Sequence, residues 1–447
     1  IRLSVNTVLS FRYSVRPFSV LSRNGIKHPK PLPFFGNLFM FRQGFFNPLN
    51  DLIKTHGRVC GYYLGRKPVV VVADPEMLRQ VMVKDFSSFP NRMSLRFITK
   101  PMSDCLLMLR NERWKRVRSI LTPAFSASKM KEMVPLINTA TDALIKNLDA
   151  FAESAEAFNI HKCFGCFTMD VVASVAFGTQ VDSQNNCDDP FVRHAQLFFS
   201  FNFFRPIMLF FDFLQLMLDA RTSDESVSIE HFDTAHPVGE AHNRSEQNQD
   251  NQVGPQERPQ MKMITEDEIV GQAFVFLVAG YETSSNTLAF ACYLLAINPE
   301  CQRELQKEVD HFFTRHESPD YTNVQELKYL DMVISETLRL YPPGFRFARE
   351  IERDCVVNGQ SFPKGATFEI PAGFLHRDPE HWPDPDKFIP ERFTPEAKAS
   401  RHPFVYIPFG AGPRNCVGMR LAQLEMKMAL VRLFRRFNLL ACTETKV

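Results

Sequence analysis

Phe409-Gly-Ala-Gly-Pro-Arg-Asn-Cys416-Val-Gly418 sets three glycines around one cysteine near the end of a 447-residue chain. Glycines at these positions let the backbone turn sharply and pass close to a flat ligand. Backbone N–H groups of such a loop can point at the Cys416 sulfur. The segment that follows carries Val417, Leu421, Leu424, Met428 and Val431 at helical spacing, so the positive end of a helix faces the same atom. Both features favour thiolate over thiol.

Three stretches upstream carry further chemistry. Thr265-Glu-Asp-Glu268 is a capping box that opens a helical pattern running to Ile297, ahead of Asn298-Pro299. At about 1.5 Å per residue that helix is nearly ~50 Å long, enough to cross a whole domain. Inside it, Ala279-Gly-Tyr-Glu-Thr283 places two small residues where a ligand can approach the backbone. Beside them Glu282 and Thr283 pair an acid with an alcohol, a combination able to relay protons. A second helix over 327–340 has Leu327, Leu330, Ile334 and Leu338 on one face and stops at Pro342-Pro343. Its Glu336 and Arg339, three apart, share a face and can pair. Trp114-Lys-Arg-Val-Arg118 adds an aromatic and a cation four apart.

Composition bounds the rest. With 45% hydrophobic residues, 23% charged, 30 Pro and 43 Phe against two Trp and nine Tyr, the chain is globular with a large apolar interior or an apolar pocket. Fifty-two Lys and Arg against fifty Asp and Glu leave +2, which argues against nucleic acid as a partner. Ten cysteines are too few and too scattered for a disulfide scaffold and read as reduced thiols facing cytosol. Cys163 and Cys166 form a CxxC without a second pair, so they read as ordinary buried thiols.

Residues 1–50 hold seven Lys or Arg and no acid. This basic leader, assigned to residues 1–28, fits a membrane-proximal segment or a mitochondrial transit peptide. The start at Ile1 reads as a start inside a longer protein. No uninterrupted apolar stretch of about 20 residues is present; the nearest, 197–218, is broken by Arg205, Pro206 and Asp212 and reads as a buried or membrane-dipping helix. After a stiff Pro-rich hinge at 28–33, residues 58–64 and 69–73 read as a hairpin turning at Gly65. The pattern from 75 to 220 is mostly helical. Residues 221–261 are a polar loop, 353–370 short strands, and 376–403 a Pro- and Asp-rich loop in which His376 reads as structural.

FxxGxRxCxG over Phe409 to Gly418 resembles the signature of the cytochrome P450 haem-thiolate family, and the resemblance extends over most of the chain from Gly25. It implies a single haem domain over 29–447, mainly α with small β-sheets, in which a long central helix crosses a haem b. Cys416 matches the iron ligand, whose thiolate helps O–O bonds break, and Phe409 lies in the same loop. Arg414, Trp114, Arg118 and Arg349 match the haem-binding positions. Glu336 and Arg339 resemble the family's ExxR, with Arg392 of Pro390-Glu-Arg-Phe393 as third member of a structural network. Glu282 and Thr283 fall in the family's oxygen-activation groove. Lys427, Arg432, Arg435 and Arg436 are candidates for docking an acidic redox partner, with a solvated face as the competing reading.

Within the family the chain is similar to enzymes that rearrange a fatty-acid endoperoxide. Stretches including Asp170-Val-Val-Ala-Ser-Val-Ala-Phe-Gly178 and His376-Arg-Asp-Pro-Glu-His-Trp382 carry that similarity. It implies an isomerase with an apolar fatty-acid-derived substrate, at the cytosolic face of the endoplasmic reticulum membrane. Thr283 keeps an alcohol that such isomerases tend to lose. The alternative is therefore a monooxygenase using dioxygen, NADPH and an NADPH-cytochrome P450 reductase. Two relatives' helices that roof the channel have no counterpart where Phe211 meets Asp212, which reads as a deletion. The chain ends at Val447 ahead of the family's last strands. A haem-binding but inactive protein is the third reading.

Overall fold

A computed structural model describes residues 12–93, 98–154, 156–186 and 263–446. The 197–218 segment, the 221–261 loop and the join at 211–212 lie outside the described residues. Within them eight helices of eleven or more residues stand beside two small sheets. The helices are α1 (Phe46–His56), α2 (Asn111–Leu121), α3 (Ala127–Ser154), α4 (Ile160–Phe177), α5 (Glu266–Ile297), α6 (Pro299–Arg315), α7 (Lys328–Leu340) and α8 (Met419–Arg436).

The strands are β1 (Val59–Leu64), β2 (Lys67–Val72), β3 (Phe347–Glu350), β4 (Cys355–Val357), β5 (Gln360–Phe362) and β6 (Thr367–Ile370). The first sheet runs β1-β2-β6-β3. Val69 to Val72 are all buried, a β-branched run suited to a covered strand. It turns back on β1 through Gly65 and pairs in parallel with β6. β3 lies antiparallel to β6 with Arg349 opposite Phe368. β4 and β5 form a separate hairpin.

Two apolar cores result. Helices α3 to α8 pack around Phe164, Phe167, Leu288, Leu305 and Leu430, and the sheet packs with α1 around Tyr62, Val70, Phe89 and Phe368. Each such side chain contributes about 1.5–3 kcal/mol on burial. The loop before α8 straddles the seam. Phe409 and Tyr406 pack on the helical core, and Ile407 and Ala411 on the sheet core.

The central helix starts as its capping box specifies. The Thr265 hydroxyl accepts from the Glu268 N–H at 3.3 Å, and the Thr265 N–H donates to Glu268 Oε2 at 3.1 Å. α4 has the length and apolarity of a membrane span, yet its residues from Phe164 to Ala173 are buried inside the protein. Cys163 and Cys166 lie on α4. Among the described residues no cluster of three His, Cys, Asp or Glu could hold a metal ion.

Candidate active site

Gly410 and Gly412 both adopt φ +70°, a left-handed conformation that costs other residues about 1–2 kcal/mol. A Cβ on Gly412 would stand 1.9 Å from the Met82 carbonyl oxygen, so the loop fits against that turn only with glycine there. The Cys416 N–H donates to the Phe409 carbonyl at 2.8 Å, closing the loop. The backbone N–H groups of Gly418 and Met419 then point at the sulfur. Cys416 is exposed and yet surrounded by protein, as a side chain in the wall of an interior space would be.

One expectation needs correction. Burial pushes the Cys416 thiol up, outweighing the two amides and the Arg118 and Arg92 charges that pull it down. The loop's donors alone do not make a thiolate; a bound cation at the sulfur would supply the missing charge.

A group of guanidiniums, one of them the loop's own Arg414, surrounds this loop. Arg414 donates to the carbonyls of Pro90 (2.6 Å) and Leu109 (2.8 Å) and to Asn91 Oδ1 (3.3 Å), and its guanidinium stands 4.3 Å over the Trp114 ring. Trp114 thus braces Arg414 from below. Arg118 donates to Asn415 through both its carbonyl (3.0 Å) and its side chain (2.7 Å), locking the residue next to Cys416. Arg349 is delivered by β3 and is buried. The sequence had not singled out Arg92, which donates to the Arg414 carbonyl at 3.4 Å; it sits in an irregular stretch with no periodicity or motif to mark it.

The electrostatics of this group are unbalanced. Burial and then Arg92, Arg110 and Arg118 lower Arg414 to about 9. Burial and then Arg92 and Arg414 lower Arg349 far below its ordinary value. Arg118 and Arg92 are lowered by burial as well. Nη1 of Arg349 and Nη1 of Arg414 are buried without a hydrogen-bond partner. Orphaned buried donors are costly. Four cations beside a cysteine, two with unspent N–H groups, fit a planar metal group that carries carboxylates, as haem does.

Behind the loop, Arg339 and Glu336 are fully buried. The Arg339 Nε and Nη2 donate to Glu336 at 2.6 and 2.8 Å. Its other N–H groups reach the carbonyls of His376 (2.9 Å), Pro385 (2.7 Å) and Lys387 (3.1 Å). All five donors of the guanidinium are spent. Arg392 completes the network, 3.3 Å from Glu336 and bonded to the Asp384 carbonyl at 2.8 Å. His376 ties the network to the cysteine loop, since its Nε2 accepts from the Ile407 N–H at 2.9 Å. Burial, then the Arg339 charge, pushes its pKa down to about 3 and keeps it neutral.

α5 passes over this assembly at two points. Phe276 packs on Phe125 at 5.8 Å between ring centroids, and Phe125 reaches Gly418. One helical turn beyond Gly280, Ser284 hydrogen-bonds the buried Glu425 of α8. Ala279 and Thr283 are exposed between those points. The Thr283 hydroxyl donates to the Ala279 carbonyl at 2.5 Å, and Glu282 accepts from Asn286 on the same helix at 3.1 Å. Gly280, by contrast, serves packing: a Cβ there would meet Val172 of α4 at 2.5 Å. The thinning expected for a ligand is used by a neighbouring helix.

The four α8 cations weighed for docking differ in placement: Lys427 is buried, Arg432 is half-buried, and Arg435 and Arg436 are exposed. Lys427 is buried and pairs with Asp331 at 2.7 Å, Arg432 pairs with Asp142, and Arg436 pairs with Asp149 at 2.6 Å. Arg435 lies 4.0 Å over Phe313. Burial removes Lys427 from any docking surface, whereas Arg435 and Arg436 remain on an exposed face.

A model of the cytochrome P450 family matches residues 26–447. The chain is 46% identical to the thromboxane-A synthases of Sus scrofa and Macaca fascicularis, over 97% of its length and 90% of theirs. It is 39% identical to cytochrome P450 3A17 of Cavia porcellus over its full length and 91% of that relative. The alignment with the Sus scrofa protein runs over 483 positions, more than this chain contains, so that relative has residues within the matched stretch that find no counterpart here.

Proposed function

The chain belongs to the cytochrome P450 family, and from that premise we propose that it isomerises prostaglandin H2, a fatty-acid endoperoxide, to thromboxane A2. The observation that carries this reading is the 46% identity to thromboxane-A synthases over 97% of the chain. The chain is an enzyme of that family and takes haem as its cofactor. A side fragmentation to hydroxy-heptadecatrienoic acid and malondialdehyde accompanies the isomerisation. The product has the atoms of the substrate, so the reaction needs neither dioxygen nor NADPH.

Bound haem supplies one-electron chemistry at iron that cleaves the endoperoxide O–O bond. Cys416 is the residue that would hold the iron, with the Gly418 and Met419 amides limiting how much charge its sulfur donates. Arg92, Arg118, Arg349 and Arg414 would neutralise the haem carboxylates, and the two orphaned Nη1 atoms are the donors free to do so. Glu336, Arg339, Arg392 and His376 hold the loop in register. Ala279 and Thr283, exposed on α5, would present a methyl and a hydroxyl already hydrogen-bonded to the Ala279 carbonyl toward the substrate.

A second reading is favoured by Thr283 and Glu282 and by the likeness to cytochrome P450 3A17: a monooxygenase that draws electrons from NADPH through a reductase. In it the Thr283 hydroxyl would leave the Ala279 carbonyl to donate a proton at the active site. Likeness to relatives of both kinds supports an apolar substrate and an endoplasmic reticulum membrane location; the catalytic body on the cytosolic side of that membrane is part of the proposed reading.

The test adds prostaglandin H2 to the haem-loaded chain without NADPH or reductase and measures thromboxane B2, the stable hydrolysis product, with malondialdehyde. Product above free haem and above Cys416→Ala is expected. No product from protein with a thiolate-type carbon monoxide spectrum would overturn the isomerase, and NADPH with reductase would then separate a monooxygenase from an inactive protein. Thr283→Ala should leave isomerase turnover within about two-fold, whereas removing a proton donor costs a monooxygenase about 10²-fold or more.

A further inference from the structure

Residues 104–109 run from the central helix to the guanidiniums beside Cys416, and their seat on α5 has no part in the chemistry above. Gln272 is 4% exposed and spends its amide there. Its Oε1 accepts from the Leu106 N–H at 2.7 Å, and its Nε2 donates to the Asp104 carbonyl at 2.9 Å. These are the two bonds a neighbouring strand would make. The remaining amide hydrogen goes to the Glu268 carbonyl, one turn back on α5, at 2.8 Å, which fixes the orientation of the group. Gly271 leaves no gap beside it, since a Cβ there would meet the Asp104 carbonyl carbon at 2.8 Å and the Cys105 nitrogen at 2.9 Å. Arg113 also bonds the Asp104 carboxylate at 2.8 Å, but its side chain is 56% exposed, and such pairs contribute little. Beyond the seat the chain turns tightly, the Cys105 carbonyl accepting from the N–H groups of both Met108 and Leu109 at 2.9 Å. The Leu109 carbonyl then accepts from Arg414, and Leu106 and Leu109 join Trp114 in an apolar cluster that Val417 packs against. Leu107 and Met108, in the turn, are half-buried.

We propose that Gln272 is a positioning residue for the substrate site: by fixing backbone 104–106 on α5, it sets where Leu107 and Met108 stand against an apolar, fatty-acid-derived substrate. Gln272 lies about three turns before Thr283 on the same helix, so the clamp and the exposed stretch of α5 belong to one rigid piece. Without the amide, the Leu106 N–H and the Asp104 carbonyl lose their partners inside the protein, and the segment must open to water to satisfy them. The inference rests on the apolar substrate proposed above.

Cys105 reports on the seat directly. It is fully buried between the two clamped groups, and burial pushes its thiol up, so it is silent toward a thiol reagent while the segment is seated. In the haem-loaded chain without substrate, Gln272→Met keeps the length of the side chain and loses its polar atoms. Labelling of Cys105, located by peptide mass mapping, should speed up by about ten-fold or more, the worth of one buried hydrogen bond. Gly271→Ala, which keeps the amide but drives a methyl into the 104–105 peptide, should do the same. Both variants should retain the thiolate-type carbon monoxide spectrum; its loss in both would make the seat a folding element and overturn the proposal. With prostaglandin H2, Gln272→Met should raise KM by about four-fold or more, the worth of one methylene's contact, with kcat within about two-fold. Unchanged labelling of Cys105 in both variants would overturn the clamp. Faster labelling with KM unchanged, or with kcat alone reduced, would overturn the role at the substrate site. A wild type that makes no thromboxane would sink the reaction instead, and the labelling would still decide the clamp.

Discussion

A buried guanidinium without a counter-charge is a debt the fold carries until a ligand settles it. Arg349 is the clearest case, buried, orphaned at Nη1 and repelled by Arg92 and Arg414. Arg349→Met removes that repulsion from the haem-free chain and removes a carboxylate partner from the loaded one. The haem-free variant should therefore melt higher than the wild type. Haem loss to an acceptor globin should be faster by about ten- to a hundred-fold, the worth of one charge-assisted hydrogen bond. A lower melting temperature without haem, or unchanged haem retention, would deny Arg349 this role. The cysteine and the basic residues named in motifs were legible because glycines, a tryptophan and fixed spacings mark them. Arg92 was not, because only the chain's return past Arg414 gives it a function, and Gly280 was misread because its partner Val172 lies 108 residues away in the sequence.

At the level of elements, local signals did most of the work. The capping box gives the start of α5, Asn298-Pro299 its end, and Gly65 the hairpin of β1 and β2, because each is decided within a few residues. The pairing of β2 with β6 was not readable, since it joins residues about three hundred apart through shape alone. Lys427 likewise reads as surface on a helical wheel and is buried only because α7 brings Asp331 to it. The loop before α8 is where local and distant demands meet. Gly412→Ala would require a left-handed alanine and push a methyl into the Met82 carbonyl, which belongs to a different segment. The expected cost is at least about 2 kcal/mol, read as lower haem content after expression and a lower melting temperature. Haem content equal to wild type would show that the loop can move away from Met82 at no cost.

Across the whole molecule, two buried titratable groups set opposing pH dependences. Burial pushes Glu425 up to about 8, against the pull of its hydrogen bond from Ser284, and Oε1 has no partner. It keeps its proton when folded after the unfolded chain has released its own near pH ~4.3. The folded state binds more protons between those values, so stability falls as pH rises through that window, by up to about 1.4 kcal/mol per pH unit. His376 works the other way. At about 3 when folded and about 6.5 when unfolded, it is neutral in the native state while the unfolded chain takes up a proton, so stability falls as pH drops below about 6.5. Between roughly 4.3 and 6.5 the two slopes cancel; above that window only the Glu425 slope remains, ending near 8. Glu425→Gln keeps the contact between α5 and α8 without a charge to bury. Because His376 is common to both proteins, the variant should match the wild type only near or below pH ~4.3 and exceed it increasingly from there to about 8. Melting temperatures of the haem-loaded protein across that range test this. Parallel curves for the two proteins would mean that Glu425 does not hold its proton across that range, and that the junction of the central helix with the cysteine helix tolerates a buried carboxylate.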